Sequence, residues 1–195
     1  MSNEIGYGSA LVELVDTLAL RAAANTASQF AVRENALHEL TNVQGDSRSA
    51  LFRRAVRQVF NVDPPEAPNT VSTGPTHAAL WLGPHEWLLE SNEPRLASAE
   101  RSLRARLQDE PASVVDVSSG YTVLELAGTR VREILQKGCP LDLHPRVFGI
   151  GRCARSHFFK AGIILRRLGE NAYELIVRRS FADYAVRMLL DAADV

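Results

Sequence analysis

The stretch AGIILRRLGENAYELIVRRSFAD, residues 161–183, predicts a β-hairpin followed by a helix. Two apolar runs flank Gly169-Glu170-Asn171, and a glycine-containing break of this length is typical of a β-hairpin turn. Ser180, with Asp183 three residues later, matches a helix capping box, so a helix is predicted to follow the hairpin directly. Its predicted inward-facing residues are Phe181, Ala185, Met188, Leu189 and Ala192.

The first half of the chain contains the same order. The segment ALWLGPHEWLLESNEPRLASAERSL, residues 79–103, aligns with ILRRLGENAYELIVRRSFADYAVRML, residues 164–189, at a constant offset that places Gly83 on Gly169 and Trp87 on Tyr173. Pro94 is tolerated in a first helical turn, and Leu96 begins the apolar face of the predicted helix. The similarity has two possible explanations. Either the two halves arose by internal duplication, or they share only the general pattern of any hairpin followed by a helix.

Other segments complete the pattern. Strands are predicted at 29–35 and 121–128, a helix at 47–60 capped by Asp46 or Ser47, a proline-rich loop at 61–77, and a helix at 129–138 with Thr129 as its cap and Gly138 past its end. The predicted fold class is α+β, with two similar strand–helix–hairpin–helix halves and antiparallel sheets. The chain is predicted to be a single unit, 1–195, with halves at approximately 1–110 and 111–195.

Composition excludes several function classes. Of the 195 residues 46% are apolar and 23% charged, and the net charge of −1 gives no field that would attract nucleic acid or an anionic membrane. The polar, acidic start does not resemble a signal peptide, and no apolar run is long enough for a membrane helix. A cytoplasmic location is predicted. The two cysteines fit a reducing compartment, and the five histidines are too scattered for a metal site.

Three motifs contain residue types that catalyse reactions elsewhere. Cys139 in LQKGCPLDLHP, residues 135–145, follows a predicted helix C-terminus, where the helix dipole disfavours a thiolate, so a structural turn is favoured over a nucleophile. Asp116 has no nearby GxSxG motif and is predicted to hold a loop through backbone N–H groups. Gly149 and Gly151 lack the third glycine of a dinucleotide fingerprint and favour a turn. No catalytic, cofactor-binding or metal-binding residue is predicted.

Basic and aromatic side chains are the remaining candidates. A run of cations late in the chain is usually a solvated sheet face, but it can also meet an acidic partner; it comprises Arg152, Arg155, Lys160, Arg166, Arg167, Arg178 and Arg179. Tryptophans near the first hairpin are either core residues or interface residues. The predicted partner-contact residues are Trp81, His85, Arg155, Phe158, Arg178 and Arg179.

Four segments together resemble a known family. They are WLGPHEWLL (81–89), the run from DVSSGYTVLELAG (116–128) onward, KGCPLDL (137–143) and RSFA (179–182). The combination resembles the gamma subunits of heterotetrameric sarcosine oxidases over nearly the whole chain. The segment 155–159, RSHFF, is bulkier and more basic than the family pattern.

The resemblance implies a role without catalysis. It implies a subunit that stabilises a flavin-dependent oxidase, which converts sarcosine to glycine, passes a one-carbon unit to tetrahydrofolate and yields hydrogen peroxide. FAD, FMN, NAD, tetrahydrofolate and zinc are then expected on other subunits, and the expected partners are the alpha, beta and delta subunits, chiefly alpha. The isolated chain is expected to be able to pair with itself, and no nucleic acid or membrane partner is expected.

The same resemblance implies the fold of the glycine-cleavage T-protein. The folate-side asparagine of that group is absent from residues 177–181, and no matching catalytic aspartate is found. Together with the absent third domain, this argues against an independent aminomethyltransferase. The alternative function is a stand-alone folate-linked or iron–sulfur-cluster assembly factor. KGC at 137–139 resembles the start of a motif of that group, but the tyrosine, glycine and glutamine–glutamate that follow in the motif are missing here.

Overall fold

A computed structural model describes residues 9–11, 14, 29–35, 39–91 and 99–194. The strands are β1 (Ala31–Asn35), β2 (Glu39–Gln44), β3 (Val71–Thr73), β4 (His77–Gly83), β5 (Glu86–Ser91), β6 (Ser113–Asp116), β7 (Tyr121–Ala127), β8 (Cys153–Phe158), β9 (Ala161–Arg167) and β10 (Ala172–Arg178). The helices are α1 (Ala50–Phe60), α2 (Ala99–Leu107), α3 (Val131–Gln136) and α4 (Arg179–Asp194). Within these residues no helix is long and apolar enough to cross a membrane.

The strands form two five-stranded antiparallel sheets of the same topology. One sheet has the order β3-β4-β5-β2-β6 and the other β8-β9-β10-β7-β1. In each sheet a hairpin (β4-β5 or β9-β10) lies between the strand that directly precedes it in the sequence (β3 or β8) and an earlier strand of the same half (β2 or β7). The edge strand beyond β2 or β7 comes from the other half of the chain: β6 pairs with β2, and β1 pairs with β7. The predicted α+β class with antiparallel sheets is confirmed. Both predicted hairpins are also confirmed.

The layers follow from the alternation of side chains along the strands. On β10, Tyr173, Leu175 and Val177 pack in the core that includes α3 and α4, while Ile176 packs between the two sheets. On β5, Trp87 and Leu89 pack with α1 and α2. Because successive side chains of a strand point to opposite faces, each sheet has helices on one face and the other sheet on the other. The result is a helix–sheet–sheet–helix arrangement with both faces of β10 buried.

Helix α1 forms because one of its faces is apolar. Phe52, Ala55, Val56 and Phe60 are buried at i, i+3, i+4 and i+8. The cap is Ser49, whose hydroxyl accepts a hydrogen bond from the Phe52 N–H at 3.2 Å. The predicted caps, Asp46 and Ser47, are therefore wrong. The carboxylate of Asp46 instead accepts a hydrogen bond from the Arg48 N–H at 2.9 Å, one turn too early to cap the helix.

Ser49→Ala is expected to lower the free energy of unfolding by about 1 kcal/mol, because a helix N–H loses its acceptor. Ser47→Ala is the matched control and is expected to change it by much less. Chemical denaturation of the two variants is the measurement. Equal losses in both would contradict the assignment of the cap.

Several other local predictions are corrected. The loop at 61–77 contains strand β3, since Val71–Thr73 lies between the prolines and pairs with β4. Ser180 lies inside α4, which begins at Arg179, so it forms no capping box, and Phe181 faces outward. Thr129 is not the cap of α3. Pro94 and Leu96, assigned to the start of a helix, lie outside the described residues.

Candidate functional site

A pocket of about 560 Å³ lies between the two sheets. It is lined mainly by apolar side chains of β4 to β10, with a few polar ones; its lining consists of Asn42, Leu82, Glu86, Leu88, Val115, Val117, Tyr121, Arg155, Ser156, Gly162, Ile163, Ile164, Ile176, Arg178 and Phe181. Pockets of this size and composition are typical of ligand or side-chain binding sites. The inter-sheet pocket is therefore the candidate functional site.

An ion pair across the two sheets forms the polar wall of the pocket. The Arg155 guanidinium on β8 donates to the Glu86 carboxylate on β5, with one Nη1–Oε2 distance of 2.8 Å. Asn42 on β2 donates to the same carboxylate at 2.9 Å. The hydrogen bond from Arg155 holds the pKa of Glu86 below its usual range, and Glu86 in turn raises the pKa of Arg155. This carboxylate is ionised and already bound, so it is not available as a general base.

A second cation lies at the pocket without a carboxylate. The Arg178 guanidinium lies 5.7 Å from the centre of the Tyr121 ring, an arrangement that fits a cation–π contact. Among the described residues, none forms an ion pair with Arg178. The lining residues that the structure describes thus include two guanidinium groups and one carboxylate, a net charge of +1.

The layer between the sheets also contains a buried charge cluster. Arg166 on β9 donates to Glu90 at 2.8 Å and to Glu174 at 3.4 Å, and its other nitrogen lies 3.4 Å from the Thr73 hydroxyl. Burial, and then the neighbouring Glu90, raise the pKa of Glu174 to about 8. Two carboxylates therefore share one arginine away from water, and one of them is protonated at neutral pH.

The two cysteines, Cys139 and Cys153, are buried in the interior of the protein and are both free. Cys139 lies just past α3, with its sulfur 3.6 Å from the Ser156 hydroxyl. Burial raises the pKa of Cys153 to about 11, so its thiol remains protonated and is not a nucleophile at neutral pH. Cys139 lies in the predicted turn after the helix, where its N–H donates to the Leu135 carbonyl oxygen at 2.9 Å.

The loop predictions also hold. The Asp116 carboxylate accepts from the Ser118 N–H at 3.0 Å and from its hydroxyl at 2.6 Å, as expected for a residue that fixes a loop. Gly151 has a φ of 78° in a turn that leads into β8. Among the described residues, no group of three histidine, cysteine or acidic side chains is placed to hold a metal ion.

The predicted partner-contact residues fall in different places. Arg155 and Arg178 both line the pocket, whereas His85 is exposed in the hairpin turn next to it. Trp81 and Arg179 are half-buried. Phe158 is fully buried in the core around α3, so it offers no surface to a partner, and the expectation for this residue is corrected. The structure also adds Val115 and Phe181, two exposed apolar residues of the pocket.

The reading of the basic run as a solvated sheet face is wrong for two of its members. Arg166 and Arg167 are 8% and 5% exposed. Arg166 is held by the charge cluster. Arg167 donates to the carbonyl oxygens of Phe148 and Gly169 at 2.9 and 3.0 Å, and thereby fastens the turn before β8 to the hairpin.

Comparison with known proteins gives a consistent family. A sequence model described as "Sarcosine oxidase, gamma subunit family" matches residues 44–194. A sarcosine oxidase subunit gamma from Corynebacterium sp. (strain P-1) is 34% identical over 168 residues, which are 86% of this chain and 82% of the relative. The subunit gamma from Corynebacterium sp. (strain U-96) is 40% identical over 116 residues, 59% of this chain and 55% of the relative.

Solved structures agree with these matches. A chain of the heterotetrameric sarcosine oxidase from Corynebacterium sp. U-96, in complex with pyrrole 2-carboxylate, superposes with a TM-score of 0.85 at 30% identity, over 95% of this chain and 93% of that one. The glycine cleavage system aminomethyltransferase T from Bartonella henselae matches with a TM-score of 0.61 at 12% identity, over 84% of this chain and 46% of that one. The second likeness shows a shared fold alone.

Proposed function

Because the chain belongs to the sarcosine oxidase gamma subunit family, we propose that it is a non-catalytic subunit of a heterotetrameric, flavin-dependent sarcosine oxidase. The observation that carries the proposal is the structural match to a chain of such a heterotetramer over 95% of the residues. In the proposed complex, sarcosine is oxidised to glycine, the one-carbon unit passes to tetrahydrofolate, and oxygen is reduced to hydrogen peroxide in the cytoplasm.

The remaining subunits supply the cofactors in this proposal. FAD, FMN, NAD, tetrahydrofolate and zinc belong to the alpha, beta and delta subunits, and the present chain docks chiefly on alpha. Its contribution is to stabilise the assembly through a surface that includes Trp81, His85, Arg155, Arg178 and Arg179. These residues lie in or near the first hairpin and the inter-sheet pocket.

The chemistry of the described residues supports a role without catalysis. The Cys153 thiol is protonated by burial, and the Asp116 carboxylate is occupied by Ser118. The Glu86 carboxylate is occupied by Arg155 and Asn42. None of these groups has the combination of exposure and an unfilled bonding position that a general base or nucleophile needs.

The T-protein fold makes tetrahydrofolate the ligand to test against this chain. The pocket fits it poorly, because Glu86 is the only acidic residue of the lining described here and is already bound by Arg155 and Asn42. A pterin ring carries several donors that need acceptors once water is excluded. Titration of the isolated chain with tetrahydrofolate, followed by calorimetry, is expected to give no saturable binding. Saturable binding would favour the alternative, a stand-alone folate-linked or iron–sulfur assembly factor.

Purification of the tagged chain from its native cells tests the main proposal. The expected result is co-purification of three further chains with a flavin absorption spectrum and sarcosine-dependent peroxide formation. Deletion of the chain is expected to lower the yield and the thermal stability of the complex. If the complex assembled with full stability and turnover without this chain, the assembly role would be refuted.

A further inference from the structure

The pocket between the sheets has an apolar lining that continues to the surface. Val115 and Phe181 line it from β6 and α4 and are 44% and 41% exposed. Leu82, Ile164 and Ile176 line it further inside, in the apolar layer between the sheets, where they are half-buried or buried. Apolar area left in contact with water is unfavourable by about 25 cal/mol per Å², so a large apolar group placed in the pocket would be stabilised.

A glycine keeps one wall of the pocket open. Gly162 is an exposed position of β9, and a methyl group added to its Cα would meet no atom within 4 Å. Its neighbours in the strand, Ala161 and Ile163, are buried. Glycine within a strand weakens the strand and often marks a place where another group approaches the backbone closely. Gly162 therefore leaves space in the pocket for a side chain of a binding partner.

The charges of the pocket indicate the chemistry of that group. Arg155 is neutralised by Glu86, whereas Arg178, held against Tyr121, lies beside the apolar lining without a carboxylate among the described residues. An arginine in this position is complementary to a carboxylate, with which its planar guanidinium forms paired hydrogen bonds. The complementary occupant has a large apolar side chain and a carboxylate close to it.

We propose that the inter-sheet pocket is the socket for a segment of a partner subunit that inserts one large apolar side chain and sets a neighbouring carboxylate against Arg178. This inference rests on the proposed function, because the pocket would be the contact through which the subunit binds its partner. A buried apolar anchor in a pocket surrounded by polar contacts is the usual form of the energetically dominant part of a protein interface. The Glu86–Arg155 pair remains in place and forms the polar rim.

Competition for incorporation into the complex tests the socket. Cells express a tagged variant together with the untagged wild-type chain, and the ratio of the two is measured in the soluble extract and in the purified complex. Gly162→Leu fills the pocket, and Arg178→Glu reverses the charge. Each is expected to be depleted in the complex at least about tenfold relative to the extract, because losing about 1.4 kcal/mol corresponds to a factor of ten.

Two control variants accompany these changes. Gly162→Ala adds a single methyl group and leaves most of the pocket open, so its depletion is expected to be under about twofold, about 0.4 kcal/mol. Arg146→Glu makes the same charge change at an exposed position outside the pocket lining and is expected to be incorporated like the wild type. Comparison with the soluble extract removes any effect of poor folding on the ratio.

The outcomes separate the two levels of the proposal. Incorporation of Gly162→Leu and Arg178→Glu at the wild-type ratio would overturn the socket and leave the subunit role intact. A wild-type chain that joins no complex at all would overturn both. Tight binding of a small apolar carboxylate in the pocket of the assembled wild-type complex, seen by native mass spectrometry, would replace the partner segment with a small ligand.

Discussion

Arg166→Met is expected to lower the free energy of unfolding by about 3–5 kcal/mol, because breaking a buried ion cluster leaves its remaining charges without compensation. Arg166 is 8% exposed and is the cation that Glu90 and Glu174 share. Methionine replaces the apolar stem of the arginine side chain but has no charge and no hydrogen-bond donor. The loss is expected to be larger at pH 8 than at pH 5, because at the lower pH the carboxyls can take up protons. Urea denaturation at both values is the measurement.

Two further variants show whether the cluster or its cation is responsible. Arg187→Met breaks an exposed pair with Asp183 on α4 and is expected to cost less than about 0.5 kcal/mol. The triple variant Arg166→Met, Glu90→Leu and Glu174→Leu replaces the whole cluster by apolar groups and is expected to recover most of the lost stability. If Arg166→Met cost no more than Arg187→Met, the cluster would not stabilise the packing of the two sheets.

The wild-type chain is expected to lose stability as pH rises from about 5 to 8. In the unfolded chain Glu174 titrates near its ordinary value of 4.5, whereas burial and Glu90 raise its pKa to about 8 in the folded chain. Between these values the folded chain holds a proton that the unfolded chain has released. Unfolding therefore releases a proton, and the free energy of unfolding falls by up to about 1.4 kcal/mol per pH unit until the folded carboxyl also ionises.

Glu174→Gln removes this titration and retains the shape of the side chain and its ability to hydrogen-bond. Its stability is expected to be nearly constant from pH 5 to 8. Glu170→Gln, in the exposed turn of the same hairpin, is expected to keep the wild-type slope. A wild-type profile that rises over this range, or a Glu174→Gln profile as steep as that of the wild type, would show that another group controls the pH dependence.

The sequence predicts the parts of the fold that depend on near neighbours. Gly83-Pro84 and Gly169-Glu170-Asn171 are turn signals within each hairpin, and the apolar face of α1 needs only the helical repeat of its own residues. The sequence alone does not select Ser49 as the cap, because Asp46, Ser47 and Ser49 all offer an acceptor and only the path of the chain decides between them. The sequence does not predict strand β3, because prolines on both sides of its three residues favour a loop.

The site depends on contacts that are distant in the sequence. Arg166 and Glu90 lie 76 positions apart in the sequence. Because the sequence does not show which sheet faces β9, the pattern predicts that a basic residue of this strand is exposed to solvent. The signal was nevertheless present: Glu90, Arg166 and Glu174 each interrupt an apolar strand that is buried on both faces. The helical repeat predicts that Phe181 faces inward, but this residue follows β10 so closely that it lies over the open pocket instead.

Strands β1 and β6, which each complete the sheet of the other half, affect how the chain folds. Strand β7 lies between β10, which is synthesised late, and β1, whose Ala31 pairs with Ala127. Pairings between positions so far apart in the chain must close large loops before they gain any stabilisation, which slows folding. Since β1 and β6 each complete the sheet of the opposite half, neither half has all its strands alone. We expect the chain to acquire its structure only after leaving the ribosome, in a single cooperative step that no fragment ending near residue 110 can reproduce.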